Sequence, residues 1–322
     1  MKAEQKQNRL FSGVDQALDI LVGAAVVLEL IILFANVLSR SLFDDSILWA
    51  NEFGHLVLSV IAFVGGALAY NRNEHIAVHA VIDRMQPATR SLTLAAMDWL
   101  VFIGSLYIAW ISVAVVKSRS DELSTVMEIS MAWFAAPLTI GMVLLSFFAL
   151  GRLLQHAIGE AVRAGCVTAA CLVTLVALYG LWGPFDGSVL LPWLIIVVLG
   201  LLLALGLPVG FVLAAVALLY IHYTGSGRLI AVPSTMQSGV SNFVLLAIPF
   251  FMMAGYVMTE GGLSRRLSDF VVALVGRVRG GLYQVVVVSM YIFSGISGSK
   301  AADVAAVCLL YTSDAADDTP CV

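Results

Sequence analysis

Apolar residues run along this chain in long blocks, each closed by a short polar or Gly/Pro interruption. A helix crossing about 30 Å of hydrocarbon needs roughly 17–25 residues at 1.5 Å each. Blocks of that kind stand at 20–38, 53–70, 92–116, 131–150, 164–182, 189–205, 208–223 and 243–259, which predicts eight crossings. Unpaired amides are too costly in lipid for any open sheet, so the blocks must be helices and the fold class an all-α polytopic membrane protein. Trp49, Tyr70, Trp133, Trp182, Trp193, Tyr220 and Tyr223 stand near block ends, where aromatic rings favour the headgroup layer.

Beyond residue 260 the pattern changes. Over 263–281 basic residues alternate with Leu267, Phe270, Val271, Leu274, Val275 and Val278, which predicts an amphipathic helix lying on the membrane surface. A dozen mostly apolar residues follow at 282–293, and then Ser294-Gly295-Ile296-Ser297-Gly298-Ser299-Lys300. Half a membrane of helix closed by a Gly/Ser break predicts a re-entrant segment, which survives in a bilayer only where it faces protein or water.

Composition narrows the class further. Of 322 residues, 61% are hydrophobic and 12% charged, against about 25% charged in soluble domains, which excludes a cytosolic enzyme or a disordered scaffold. With 17 basic and 21 acidic residues and no basic stripe, nucleic acid is excluded as a partner, and membrane lipid is the surrounding medium. The first apolar block has no small-residue cleavage pattern and is expected to be a retained span. Cys166, Cys171, Cys308 and Cys321 form no C-x-x-C pair, so neither zinc nor thiol redox chemistry is indicated. A cytoplasmic N-terminus would place most of the Lys and Arg inside, including Lys2, Lys6, Arg9, Arg72, Arg84, Arg90, Arg152 and Arg163; Arg40, Lys117, Arg119 and Arg228 would lie outside.

Few residues suggest chemistry. His75, His79 and Asp83 share one helical face, a spacing that suits zinc but lacks a fourth ligand; packing at the interface is the alternative. Glu29 and Asn36, seven apart, share a face of the first span that must meet protein, either as a subunit contact or as part of a proton relay. Asn51, Glu52 and His55 cluster at the outer end of the second span, fit either to touch a partner subunit or to cap the helix. No nucleophile–base pair or H-E-x-x-H occurs in a span, so no enzyme and no cofactor are expected.

Several segments resemble a known family. Leu245-Leu246-Ala247-Ile248-Pro249-Phe250-Phe251, Gly261-Gly262-Leu263-Ser264-Arg265-Arg266-Leu267 and 294–303, with Gly206-Leu207-Pro208-Val209-Gly210 before them, resemble the opening of the large membrane subunit of tripartite ATP-independent periplasmic (TRAP) transporters. Asn51-Glu52-Phe53-Gly54-His55, Glu74-His75-Ile76-Ala77-Val78-His79, Trp133 and Pro137 resemble the small four-helix (Q-type) subunit. The resemblance implies a small subunit over 1–160, a connecting transmembrane helix over 161–187 as in fused versions, and the start of the large (M-type) subunit over 188–307. That large subunit would be the first part of an inverted-repeat, elevator-type transporter with a re-entrant hairpin.

The same resemblance implies a multi-pass permease of the bacterial inner membrane, a symporter coupled to Na⁺. It would import a small organic acid of dicarboxylate or sugar-acid type, delivered by a periplasmic substrate-binding protein. In that setting Ser297 and Ser299 are the candidate Na⁺ ligands, since hydroxyls and carbonyls are hard oxygen donors; Gly295 and Gly298 free the backbone to turn, and Asp303 completes the candidate ion and substrate site. Lys300 departs from the family's small hydroxyl residues; it either pairs with Asp303 at i,i+3 or faces a substrate carboxylate. The large subunit of the family continues well beyond this point, so a truncated subunit is expected here. Residues 308–322, with Asp314, Asp317 and Asp318, resemble translated adapter sequence and are expected to be a non-native tail. A non-transporting scaffold and another secondary carrier family are the competing readings.

Overall fold

The computed structural model describes residues 12–75, 82–156, 158–182, 190–224 and 229–262, with scattered positions between 266 and 292. All its regular elements are helical, and an isolated bridge between Leu123 and Ser130 is the β feature among the described residues. Two compact units divide the chain, Met1–Ser241 and Asn242–Val322.

The first unit opens with four antiparallel helices: α1 (Ser12–Phe43), α2 (Leu48–Asn71), α3 (Pro87–Ser118) and α4 (Ala132–Leu153). Each contains a stretch long and apolar enough to cross a membrane: Gly13–Phe43, Leu48–Asn71, Thr89–Ser118 and Ala132–Leu153. α1 packs on α2 through Val22, Glu29, Leu33 and Asn36, a stripe at helical spacing, and turns Ile20, Val27, Ile31, Phe34 and Val37 outward. Proline at the start of α3 leaves no orphan N–H there. The core joins Ala67 and Tyr70 of α2, Val101 and Ile108 of α3, and Leu138, Met142, Leu145 and Phe148 of α4. Gly141 lets α4 press onto α2: a Cβ there would lie 2.6 Å from the Phe63 carbonyl oxygen.

α5 (Ile158–Trp182) starts six residues before the span expected at 164. Its first turns are bound to α3, where the Trp99 indole donates to the Ala161 carbonyl at 3.0 Å and the Ser91 hydroxyl donates to Glu160 at 2.7 Å. The Trp99 ring fills the notch over Gly165, 3.1 Å from where a Cβ would stand.

α6 (Leu190–Ala204) and α7 (Val209–Thr224) form a hairpin. Gly206, at φ +80°, closes α6 in a Schellman turn: the Leu207 N–H reaches the Leu202 carbonyl and the Gly206 N–H that of Leu203. Leu207, Val212 and Val216 then bury against Ile82 and Met97.

α6 and α7 coincide with the blocks expected at 189–205 and 208–223 to within one residue at each end, and one of the eight expected spans is built differently. The block at 243–259 is a 3₁₀ turn, Phe243–Ala247, followed in the second unit by α9 (Ile248–Glu260). Pro249 explains the change of helix type, because inside one continuous α-helix it would lack a donor and clash with the Leu245 carbonyl. A further helix, α8 (Ala231–Val240), lies where no element was expected; it buries Val232, Pro233 and Gln237 against α2, α3 and α4. Tyr70, expected at the headgroup layer, is instead only 4% exposed and belongs to the core.

The second unit is described through α9 and its turn, where Asn242 Oδ1 accepts from the Val244 N–H at 3.1 Å and Gly262 takes φ +70°. The surface helix expected over 263–281 and the half-helix over 282–293 are described only at scattered positions. Gly295, Ser297, Gly298, Ser299, Lys300, Asp303 and the tail 308–322 lie outside the described residues.

Candidate functional site

The described chemistry gathers where the four-helix bundle meets the α6–α7 hairpin. Tyr70 ends α2 and donates its hydroxyl to Asp98 Oδ1 of α3 at 2.6 Å. His156, just past α4, reaches the other oxygen of Asp98 at 3.1 Å. Arg152, in the last turn of α4, lies 3.9 Å from Asp98, donates to the Tyr70 carbonyl at 3.3 Å and also to Asn73 Oδ1. Its guanidinium stacks over the Tyr70 ring at 4.7 Å, a cation–π contact. Asp98 is 9% exposed, so this set of partners is what makes a carboxylate tolerable there.

The hairpin supplies the opposite wall. Phe211 of α7 sets its ring 5.7 Å from that of Tyr70 and 5.4 Å from that of His75, both edge-on. His75 Nε2 donates to the Gly66 carbonyl at 2.9 Å, which holds the ring against α2. Between these walls lies a cavity of about 280 Å³, lined by Tyr70, His75, Asp98, Arg152, His156 and Pro208 among others. Two further polar contacts join the bundle to α8: the Gln237 amide donates to the Ser59 hydroxyl at 2.9 Å, buried, and Arg119 donates to Ser234 at 3.5 Å.

The residues singled out from sequence are distributed differently. Glu52 takes up the loop after α3, accepting from the Thr125 hydroxyl at 2.6 Å and from the Val126 and Met127 amides at 3.1 and 2.9 Å. Asn36 accepts from the Ile47 amide at 2.8 Å and so braces the α1–α2 turn. Glu29 is fully buried on the face that meets α2, with no hydrogen bond to either oxygen among the described residues. At the other end of α1, Asp19 pairs with Arg72, and this hydrogen bond lifts the guanidinium above its ordinary pKa. The side chains of His79 and Asp83 lie outside the described residues, and no cluster able to hold a metal occurs among the described ones.

Tyr70, Asp98, Arg152, His156 and Gln237 were not foreseen. One signal was available: Asp98 is an acid placed within an apolar block, a position that demands a partner.

Comparison with known proteins assigns the two sides of this junction. Residues 29–159 match the DctQ component of tripartite ATP-independent periplasmic transporters, and residues 196–313 match the DctM component. The chain belongs to the TRAP transporter family. The sialic acid TRAP transporter permease SiaT of Haemophilus influenzae is 26% identical over 289 residues, covering 84% of this chain and 46% of that protein. The isethionate TRAP transporter permease DctMQ of Oleidesulfovibrio alaskensis is 26% identical over 265 residues, 80% of this chain and 40% of its own length. The sialic acid large permease SiaM of Vibrio cholerae is 43% identical over 105 residues, 33% of this chain and 24% of that one. The chain thus spans less than half the length of these relatives, all of them transport proteins rather than enzymes. In TRAP terms, Tyr70, Asp98 and Arg152 lie in the DctQ-matching segment and Phe211 and Gln237 in the DctM-matching one.

Proposed function

We propose that this chain is the membrane component of a sodium-coupled TRAP importer of organic acids in the bacterial inner membrane. DctQ-type and DctM-type segments following one another in a single chain carry this reading. Relatives named for sialic acid, isethionate, 2,3-diketo-L-gulonate and C4-dicarboxylate support an organic anion as substrate. A periplasmic substrate-binding protein delivers that anion. The division into a small subunit over 1–160, a connecting helix over 161–187 and the start of the large subunit over 188–307 belongs to the same reading.

The bundle α1–α4 is the scaffold, and the junction around Asp98 fixes it to the transport portion. Na⁺ binds at the Gly/Ser break, through Ser297 and Ser299, with Gly295 and Gly298 shaping the turn and Asp303 and Lys300 beside it. The N-terminus faces the cytoplasm. The bundle end that carries Arg72, Arg84, Arg90, Arg152 and Arg163 is the basic one, and the opposite end carries Asp44, Asp45, Asp121, Glu122 and Glu128.

Uptake of a radiolabelled sugar acid or dicarboxylate is to be measured in proteoliposomes holding the permease that contains this sequence, with its binding protein and an imposed Na⁺ gradient. Sodium-dependent accumulation that falls at least tenfold in Ser297→Ala or Ser299→Ala is the expected result. Accumulation indifferent to Na⁺ would remove the coupling assignment, and sodium dependence unchanged in both variants would remove the two serines.

A further inference from the structure

Glu29 stands apart from every other polar group on α1. It lies 14 residues before Phe43 and 17 after Ser12, roughly 21 and 26 Å of helix from the two ends of α1. That is the middle of a membrane-length helix. The register of α1 on α2 is set at three points: Asp15 accepts from Asn71 at 2.9 Å, Val22 lies 3.5 Å from where a Cβ on Gly65 would stand, and Asn36 accepts from the Ile47 amide at 2.8 Å. Glu29 falls inside that zipper, level with the middle of α2. Asp15, Asp19 and Asn36 on the same helix each have a partner; Glu29 is 0% exposed and neither of its oxygens has one among the described residues.

Among the described residues Glu29 forms no hydrogen bond and no ion pair. The titratable groups of α2 are Glu52, His55 and Tyr70. Glu52 is taken by residues 125–127 and Tyr70 by Asp98. His55 lies toward the α1–α2 turn, with its Nδ1 buried and unpartnered. The charged groups of α1 itself, Asp15, Asp19 and Arg40, are ten or more residues away along the helix. An ionised carboxylate buried at that depth with no protein donor is strongly disfavoured, and a neutral carboxylic acid is the form that fits.

We infer that Glu29 is a proton-binding site: its carboxyl carries a proton in the folded bundle and gives it up when α1 leaves α2. This site is independent of the sodium reading and of the substrate.

The test is infrared spectroscopy of the full chain in lipid nanodiscs, with glutamate ¹³C-labelled at its side-chain carboxyl. At pH 7 the exposed glutamates are carboxylates, so a labelled carboxylic-acid C=O band is expected from Glu29 and should vanish in Glu29→Gln. If Glu29→Gln does not assemble, the wild-type band alone decides, through its loss on raising pH.

Absence of the acid band at pH 7 overturns the inference. So does a band untouched by Glu29→Gln. A carboxylate signal that shifts on His55→Gln would mark an ion pair with His55, and one that responds to Na⁺ would mark a cation site; either result also overturns it.

Discussion

Arg152 is the residue on which most of the junction chemistry converges, because it touches the Tyr70 ring, the Tyr70 carbonyl, Asn73 and Asp98. Removing it leaves Asp98 with a hydroxyl and an imidazole but no permanent positive charge. Arg152→Ala should therefore destabilise the bundle by about 3–5 kcal/mol, the range for breaking one side of a largely buried pair. Tyr70→Phe removes only one hydrogen bond to a charged group and should cost about 1.5–3 kcal/mol. Thermal unfolding in detergent measures both, and the order Arg152→Ala worse than Tyr70→Phe is the decisive outcome. At this scale the sequence was legible in part: Asp98 in an apolar block and Glu29 in the first span both announce a buried acid. That Asp98 meets residues 28 and 58 positions away was not legible, since no periodicity connects them.

Helix contacts depend on which small residues meet backbone. Gly141 and Gly104 look alike in sequence, each a glycine within an apolar span. A methyl at Gly104 would meet nothing within 4 Å, while one at Gly141 would collide with the Phe63 backbone. Gly104→Ala should be neutral or stabilising by up to about 1 kcal/mol, through helix propensity. Gly141→Ala should destabilise by about 1–3 kcal/mol, the usual penalty for overpacking. Unfolding temperatures of the two variants, compared side by side, check this. α5 shows how an element expected to be a mere connection becomes part of the bundle: Trp99 both hydrogen-bonds to it and packs on Gly165. α8 escaped the sequence because its ten residues, Ala-Val-Pro-Ser-Thr-Met-Gln-Ser-Gly-Val, are too short and too polar to stand out; burial against α2, α3 and α4 is what makes it a helix.

Across the whole molecule the two family segments are held together within the first unit by three kinds of contact: the aromatic set around Phe211, the apolar set around Val212, and the buried Gln237–Ser59 bond. Gln237→Ala should leave the Ser59 hydroxyl unpaired and cost about 1–3 kcal/mol. Hydrogen exchange should register it as earlier loss of protection in 190–240 than in α3 and α4. The charge asymmetry of the bundle carries a second test. A cysteine in place of Asp121 should react with a membrane-impermeant maleimide from outside intact cells, and one in place of Glu74 should not; the reverse pattern would invert the topology.

The apolar blocks by themselves determined that the chain is a helical membrane protein, where its long helices run and, through a handful of segments, which family it resembles. Those properties are local: a helix in lipid satisfies its own backbone, so its existence and extent follow from consecutive residues. Tertiary structure alone decided that Tyr70 turns inward, that Glu52 holds a loop 73 residues away and that Glu29 is left without a partner among the described residues. Lipid is as apolar as a helix interior, so hydropathy cannot say which face of an apolar helix meets protein. Only the packed neighbours settle that, and with it which polar groups are satisfied.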